Sequence, residues 1–266
     1  MRPNTVCLLL AFAILASPSL SQNDMASYWM NKGIALDNMG NYQEAAKAYQ
    51  NATEENSSSY LAWNSLGLDL INLGKYNESI VAFDKVISIE PAFAWAAWNN
   101  KGMALAAIGK YNDAIVAYDN AIKIEPKNTK AWNNKGIALL SSGDFNESVK
   151  AFNKALELEP KAALTWYYKG LAHLNAGKFN ESVNAFDEAV NFEPKFAMAW
   201  NYKGIALLNL NRTEESIEAF DNATKADPNN SEAWNNLGLT LNAAGRYQDA
   251  VSAFDRAIDT KGTKSS

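Results

Sequence analysis

The sequence predicts an all-helical chain of seven stacked helix-turn-helix units, on three grounds. First, a Trp followed four residues later by a Gly recurs at Trp29/Gly33, Trp63/Gly67, Trp98/Gly102, Trp132/Gly136, Trp166/Gly170, Trp200/Gly204 and Trp234/Gly238. The glycines are spaced by 34, 35, 34, 34, 34 and 34 residues, the pattern of an array whose units bury their apolar faces only by stacking on a neighbour. Second, apolar residues at helical spacing form two runs per unit, for example Ala131 to Leu140 and Phe145 to Leu158. Third, between the two runs falls Gly40, Gly74, Gly109, Gly143, Gly177, Asn211 or Gly245, the residue types that best tolerate the left-handed conformation ending a helix.

The repeats are assigned to residues 26–59, 60–94, 95–128, 129–162, 163–196, 197–230 and 231–260, after a short leader at 22–25 and before a polar tail at 261–266. Counting from each start, Trp is fourth, Gly eighth and the turn residue fifteenth. An acid stands nineteenth (Glu44, Glu78, Asp113, Glu147, Glu181, Glu215, Asp249), in the first turn of the second helix, where it opposes the positive end of the helix dipole for ~0.3–1 kcal/mol. Gly at the eighth position, Ala or Ser at the twentieth and mostly Ala at the twenty-seventh let helix backbones approach closely. The aromatics Tyr49, Phe83, Tyr118, Phe152, Phe186, Phe220 and Phe254 at the twenty-fourth fill the space beside them. Pro91, Pro126, Pro160, Pro194 and Pro228 close the second helix of repeats two to six. Repeat six, with Asn211 and then Thr213 where the others have Tyr or Phe, is expected to have the loosest turn.

Met1 to Ser21 stand outside the array. Arg2 gives a basic start, Val6 to Ala16 an apolar stretch too short to span a bilayer, and Ser19-Leu20-Ser21 a small-x-small cleavage site. This pattern predicts a signal peptide cut near Gln22 and an exported chain, secreted or at the cell surface; an uncleaved membrane anchor is the alternative. Cleavage removes Cys7, the one cysteine, so no disulfide framework is expected. It also removes Arg2, taking the net charge of −5 one unit lower. Mild acidity argues against a nucleic-acid or anionic-lipid partner.

These positions resemble the tetratricopeptide repeat (TPR) family over residues 26 to about 260. That family's pattern has Trp fourth, Leu seventh, Gly eighth, Tyr eleventh, Ala twentieth, Phe twenty-fourth, Ala twenty-seventh and Pro thirty-second. This chain departs from it with Lys32, Lys101, Lys135, Lys169 and Lys203 at the seventh position and Leu at most eleventh positions. The resemblance implies an α-solenoid, a right-handed superhelix whose first helices line a concave groove that receives an extended peptide or partner helix. Fold alone identifies no partner.

If the family geometry holds, the second, fifth, sixth, ninth, twelfth and thirteenth positions face that groove. The fifth and sixth supply Asn31, Asn64, Asn99, Asn100, Asn133, Asn134, Asn201, Asn235 and Asn236, interrupted by Tyr167, Tyr168 and Tyr202. An amide both donates and accepts, so a ladder of amides can satisfy the backbone of a bound peptide; the blander role is to solvate a helix face or bond to a neighbouring repeat. The family's carboxylate clamp for chaperone tails is not expected, because the ninth positions, Ile34, Leu68, Met103, Ile137, Leu171, Ile205 and Leu239, are all apolar.

Asn-x-Ser/Thr acceptors occur at Asn51, Asn56, Asn77, Asn146, Asn180, Asn211, Asn222 and Asn229, making N-glycosylation an expectation for an exported chain. Asn77, Asn146 and Asn180 also read as helix caps, with the following Ser at the small twentieth position. No catalytic set, cofactor, metal site or small-molecule substrate is expected. His173, alone of its type, replaces a Leu at the eleventh position and is expected to pack in the core. The groove-binding scaffold has one rival, a self-assembling component of the cell envelope. It is motivated by Val251 and Ile258, which stand in the last repeat where earlier repeats have a neighbour to cover them.

Overall fold

The structure is a computed structural model and describes residues 22–262. The signal peptide assigned to Met1–Ser21 and the tail beyond Gly262 lie outside the described residues. Within them, seven helix pairs follow one another: α1 (Gln22–Asn38) with α2 (Tyr42–Glu55), α3 (Tyr60–Asn72) with α4 (Tyr76–Ile89), and α5 (Trp95–Ala107) with α6 (Tyr111–Ile124). Next come α7 (Thr129–Ser142) with α8 (Phe145–Leu158), α9 (Ala163–Asn175) with α10 (Phe179–Phe192), α11 (Ala197–Asn209) with α12 (Thr213–Ala226), and α13 (Ser231–Ala243) with α14 (Tyr247–Gly262). The extra residue between the second and third glycines is absorbed by a 3-10 turn at Pro91–Phe93. The leader is no separate segment, since α1 already starts at Gln22, and α14 continues to Gly262, past the assigned end of the repeat.

Each pair is held by one repeated contact. A Cβ added to Gly136 would lie 2.5 Å from the Phe152 ring, and the other eighth-position glycines, from Gly33 against Tyr49 to Gly238 against Phe254, meet their aromatics equally closely. No side chain fits there, so the first helix lies directly on the ring. Serine at the twentieth position is more than small: Ser79, Ser148, Ser182 and Ser216 donate 2.8–2.9 Å hydrogen bonds to the carbonyls of Gly67, Gly136, Gly170 and Gly204. These buried hydroxyls are thereby satisfied while stitching the two helices together.

The turns close alike in all repeats. Gly143 has φ of 90°, and Asn211 adopts φ of 59°, the one positive φ at a non-glycine residue among those described. The Arg212 N–H still reaches the Leu207 carbonyl at 3.0 Å, as Lys110 reaches Leu105 at 2.9 Å. The looser turn expected of repeat six is therefore not found, because asparagine takes the left-handed conformation and Thr213 simply opens α12.

Two further assignments change. Asn77, Asn146 and Asn180 cap nothing: their helices begin one residue earlier, behind Lys75, Asp144 and Lys178, and the asparagines sit exposed in the first turn. The capping asparagines are Asn41, Asn128 and Asn230, with Ser59 at α3. The prolines do more than end a helix. The carbonyls of Pro126, Pro160, Pro194 and Pro228 accept the indole N–H of Trp132, Trp166, Trp200 and Trp234 at 2.8–3.0 Å, so each Trp anchors the connection that leads into its own repeat.

First helices of consecutive repeats touch one another along the inner side of the array (α3 with α5, α5 with α7, α7 with α9, α9 with α11), while the second helices from α2 to α12 each pack on the first helix before and after, and α14 packs on α13. The first helices therefore line the concave face and the second helices the outer one.

Candidate partner-binding groove

In repeats four to seven the sixth position of the first helix faces the preceding repeat. Asn134 donates to the Asn99 side-chain oxygen at 3.0 Å and Asn236 to that of Asn201 at 3.0 Å, each reaching back across a repeat junction. Thr165 donates to the Asn133 oxygen at 3.0 Å, and Asn201 in turn donates to Glu232 at 3.2 Å. In the middle of the array tyrosines take the same places. Tyr168 stacks on Phe152 and Tyr202 on Phe186, with both packed edge-on against Tyr167.

Twelve residues were candidates for the groove, and they divide by burial. Asn99, Asn201 and Tyr167 are buried and leave the ligand-facing set. The two asparagines serve as acceptors for the next repeat, and the Tyr167 ring sits among Phe186, Phe196, Tyr168 and Tyr202, where burial raises its phenol pKa. Asn64, Asn100, Asn133, Asn134, Asn236, Tyr168 and Tyr202 are half-buried, and Asn31 and Asn235 are exposed. Asn134 and Asn236 each spend one amide hydrogen on the preceding repeat, which fixes the plane of the amide and leaves an oxygen and a second hydrogen.

The surface between these amides is apolar. Leu61, Leu164 and Met198 at the second position and Ile34, Leu68, Met103 and Leu239 at the ninth are exposed large hydrophobics on the first helices. The sequence places the ninth position in the groove, but its apolar residues serve there only to exclude the clamp. Its uniform apolar character was the available signal for this stripe.

A second feature missed from sequence lies between repeats one and two. Asp69 stands at the tenth position, where repeats three to six have Ala104, Ala138, Ala172 and Ala206. It is 1% exposed, and its Oδ2 has no hydrogen-bond partner among the described residues. Burial first, then the neighbouring Asp37, pushes its pKa from 3.8 up to about 7, so below neutral pH the protonated form is favoured and can donate to Asp37. The Tyr49 phenol is also raised, by burial first and then by Asp37 and Asp69.

The seventh-position lysines are structural. Lys101, Lys135 and Lys203 lie 5.1, 5.6 and 5.0 Å from the ring centroids of Trp98, Trp132 and Trp200. Each reaches a carboxylate of the preceding repeat, Asp84, Asp119 or Asp187, at 2.6 Å. Lys169 sits over Trp166 at 4.5 Å, but the preceding repeat offers Asn153 in place of an acid, and burial lowers its pKa.

His173 is half-buried with Nδ1 unpartnered among the described residues, and burial first, then the neighbouring Lys169, holds its pKa below the ordinary value against the opposing Glu181. Among the described residues no group of three or more His, Cys, Asp or Glu could hold a metal, and no helix is long and apolar enough to cross a membrane. At the acceptor triplets of Asn51, Asn77, Asn146, Asn180 and Asn222 the hydroxyl residues, Thr53, Ser79, Ser148, Ser182 and Thr224, are buried in the helix packing. Asn56, Asn211 and Asn229 lie in the connections between helices.

Tetratricopeptide repeat family models match residues 26–59, 60–93, 95–128, 129–162, 167–221 and 203–265. The chain belongs to the tetratricopeptide repeat family. None of the curated proteins compared with it matches. Among solved structures, a tetratricopeptide repeat protein from Parabacteroides merdae superimposes with a TM-score of 0.69 at 14% identity, over 89% of this chain and 93% of that one. MamA from Desulfovibrio magneticus gives 0.59 at 22% identity over 65% and 97%. YrrB, described as a TPR protein with an unusual peptide-binding site, gives 0.59 at 19% identity over 71% and 96%. At these identities the likeness speaks for the fold.

Proposed function

We propose that the chain is a non-catalytic protein-interaction scaffold that holds an extended peptide or a partner helix in its concave groove. One observation carries this reading: exposed apolar side chains, Leu61, Leu68, Met103, Leu164, Met198 and Leu239, share the face with amides, two of which are locked in orientation by the repeat behind them. Apolar contacts would supply affinity, and preset amides would meet a peptide backbone with little ordering cost. The peptide-binding description of YrrB supports the class of ligand, not its identity. Export stays part of the proposal through the Met1–Ser21 pattern, and N-terminal sequencing of exported protein that began at Met1 would turn it into a membrane-tethered reading.

The test is capture of peptides from the native secretome by the intact protein, followed by titration of the recovered peptide into Leu68→Asp/Met103→Asp. Both side chains are exposed, so circular dichroism is expected to be unchanged while affinity falls at least tenfold, about 1.4 kcal/mol. Unchanged affinity with an intact fold moves the site off this face. Asn133→Ala/Asn134→Ala is the poorer test, because it also strands the buried Asn99.

A second reading, self-assembly, rests on α14. Val251 and Ile258 are 53% and 68% exposed, whereas Ile217 and Val190 at the same positions of other repeats are buried. An apolar pair on one helix face is a surface on which a second copy could pack.

A further inference from the structure

The lysine struts that join a second helix to the first helix of the next repeat provide an internal template. At the junctions of repeats two with three, three with four and five with six, a Trp face and the carboxylate of the preceding repeat together hold one lysine. The ammonium is 2.6 Å from the carboxylate, and the side chain is only 19–21% exposed. The junction of repeats six and seven keeps the Trp and the acid, as Trp234 and Asp221, but has Leu237 in place of the lysine. There a cleft of about 590 Å³ opens between α12 and α14, lined by Asp221, Trp234 and Leu237. The junction of repeats one and two shows what full loss of the device looks like. Leu66 replaces the lysine, Gln50 replaces the acid, and a cleft of about 430 Å³ opens beside Trp63 with no carboxylate at that place.

The geometry points to an ammonium site at the sixth junction: we propose that the cleft between α12 and α14 takes a lysine side chain of a partner polypeptide. Its ammonium pairs with Asp221 and its alkyl stem lies on Trp234 and Leu237. Glu214 and Glu218 on α12 add negative charge to the same wall. Asp221 is engaged locally by Lys225, four residues along the helix, but that lysine is 69% exposed, and such surface pairs exchange at little cost. Arg256 and Arg246 also line the cleft, Arg246 paired with Asp249; at the position of Arg256 the fourth repeat has Lys154. The Lys135–Asp119 pair forms although the same repeat carries Lys154 at the position equivalent to Arg256, so a cation at that position is compatible with a lysine in the trough. The site lies on the outer face, separate from the concave groove.

The Trp234 indole N–H, bonded to the Pro228 carbonyl at 2.9 Å, is a local reporter whose resonance Trp234→Phe assigns. The intact protein is titrated with acetyl-Gly-Lys-Gly-amide and with the same peptide acetylated on the lysine. A saturable shift of the Trp234 resonance is expected with the first and not the second. Asp221→Asn is expected to weaken binding about tenfold. Leu237→Lys, a residue that five other repeats carry at this position, is expected to fill the trough from within and abolish the shift with circular dichroism unchanged. No saturable shift, an equal response to the acetylated peptide, or undiminished binding to folded Leu237→Lys overturns the proposal. So does binding seen only after Arg256→Ala, which would show that the cleft is already closed by its own arginine.

Discussion

The junction between repeats three and four and the junction between repeats one and two share their inner packing and differ in nearly every polar group that crosses them. Both rest on a glycine lying on an aromatic ring, Gly136 on Phe152 and Gly67 on Phe83, with a serine hydroxyl on the glycine carbonyl. Across the third junction run Lys135 to Asp119 and Asn134 to Asn99, each donor meeting an acceptor. Across the first sits Asp69 with an unpartnered oxygen beside Asp37, and the strut is replaced by Gln50 and Leu66. Packing inside a repeat is thus uniform and sets the fold. The polar positions between repeats make each junction individual, and there binding and pH response can differ along the array.

The uniform part gives the largest expected effect. Gly136→Leu must drive a side chain into the Phe152 ring, and overpacking of this kind costs about 3 kcal/mol in urea titration. Gly143→Ala meets nothing within 4 Å and suffers only from its φ of 90°, so it should cost about 1 kcal/mol. Equal losses for the two would show that conformation, not contact, explains the conserved spacing of glycines along this chain.

Asp69→Ala comes next and has the opposite sign. The folded-state pKa of Asp69 is raised, so the native state holds its proton more tightly than the unfolded chain does. Its contribution is favourable at low pH and is lost as pH rises from about 4 to about 7. Alanine, the residue that repeats three to six use there, removes the buried acid. The variant should be about 1–3 kcal/mol more stable at pH 7, with a flatter stability profile between pH 4 and 7. An unchanged profile would mean that Asp69 finds a proton donor the structure does not show.

How much of this was legible beforehand follows from periodicity. The helix pairs, the left-handed turns at Gly143 and Asn211 and the glycine–aromatic contacts were readable because each recurs in every repeat, so one position explains seven. Asn99, Asn201 and Tyr167 were misplaced because a helix-face argument cannot tell the rim of a groove from the seam between neighbouring helices. That distinction depends on how closely successive first helices approach. Lys135 read as a departure from pattern for a related reason: its partner Asp119 lies in the preceding repeat, and only comparing the twenty-fifth position of one repeat with the seventh of the next exposes the pairing. Asp69 carried a visible signal, an acid where other repeats have Ala, but its burial was not inferable from one position.

Removing a strut should cost less than either change above. Lys135→Leu copies what Leu66 and Leu237 already do, and it exchanges a cation–π contact and a half-exposed ion pair for apolar burial. A loss of about 0.5–1 kcal/mol is expected. A double-mutant cycle with Asp119→Asn should return a coupling of similar size that shrinks in high salt. Zero coupling would reduce the strut to a surface pair and weaken the template on which the sixth-junction site depends.

The smallest effect on stability is expected on α14, where the junction positions are exposed. Ile217 is buried against the following repeat, while Val251, its equivalent in repeat seven, is 53% exposed and Ile258 is 68% exposed. Val251→Glu/Ile258→Lys should therefore change stability by no more than about 0.5 kcal/mol, whereas Ile217→Glu buries a charge and should cost several times as much. Sedimentation of the same proteins separates the two functional readings. If α14 pairs copies of the chain, the native protein shows a concentration-dependent mass that the double variant lacks. If the native protein sediments as a monomer at every concentration, self-assembly through this face fails and the concave groove remains as the surface that meets a partner.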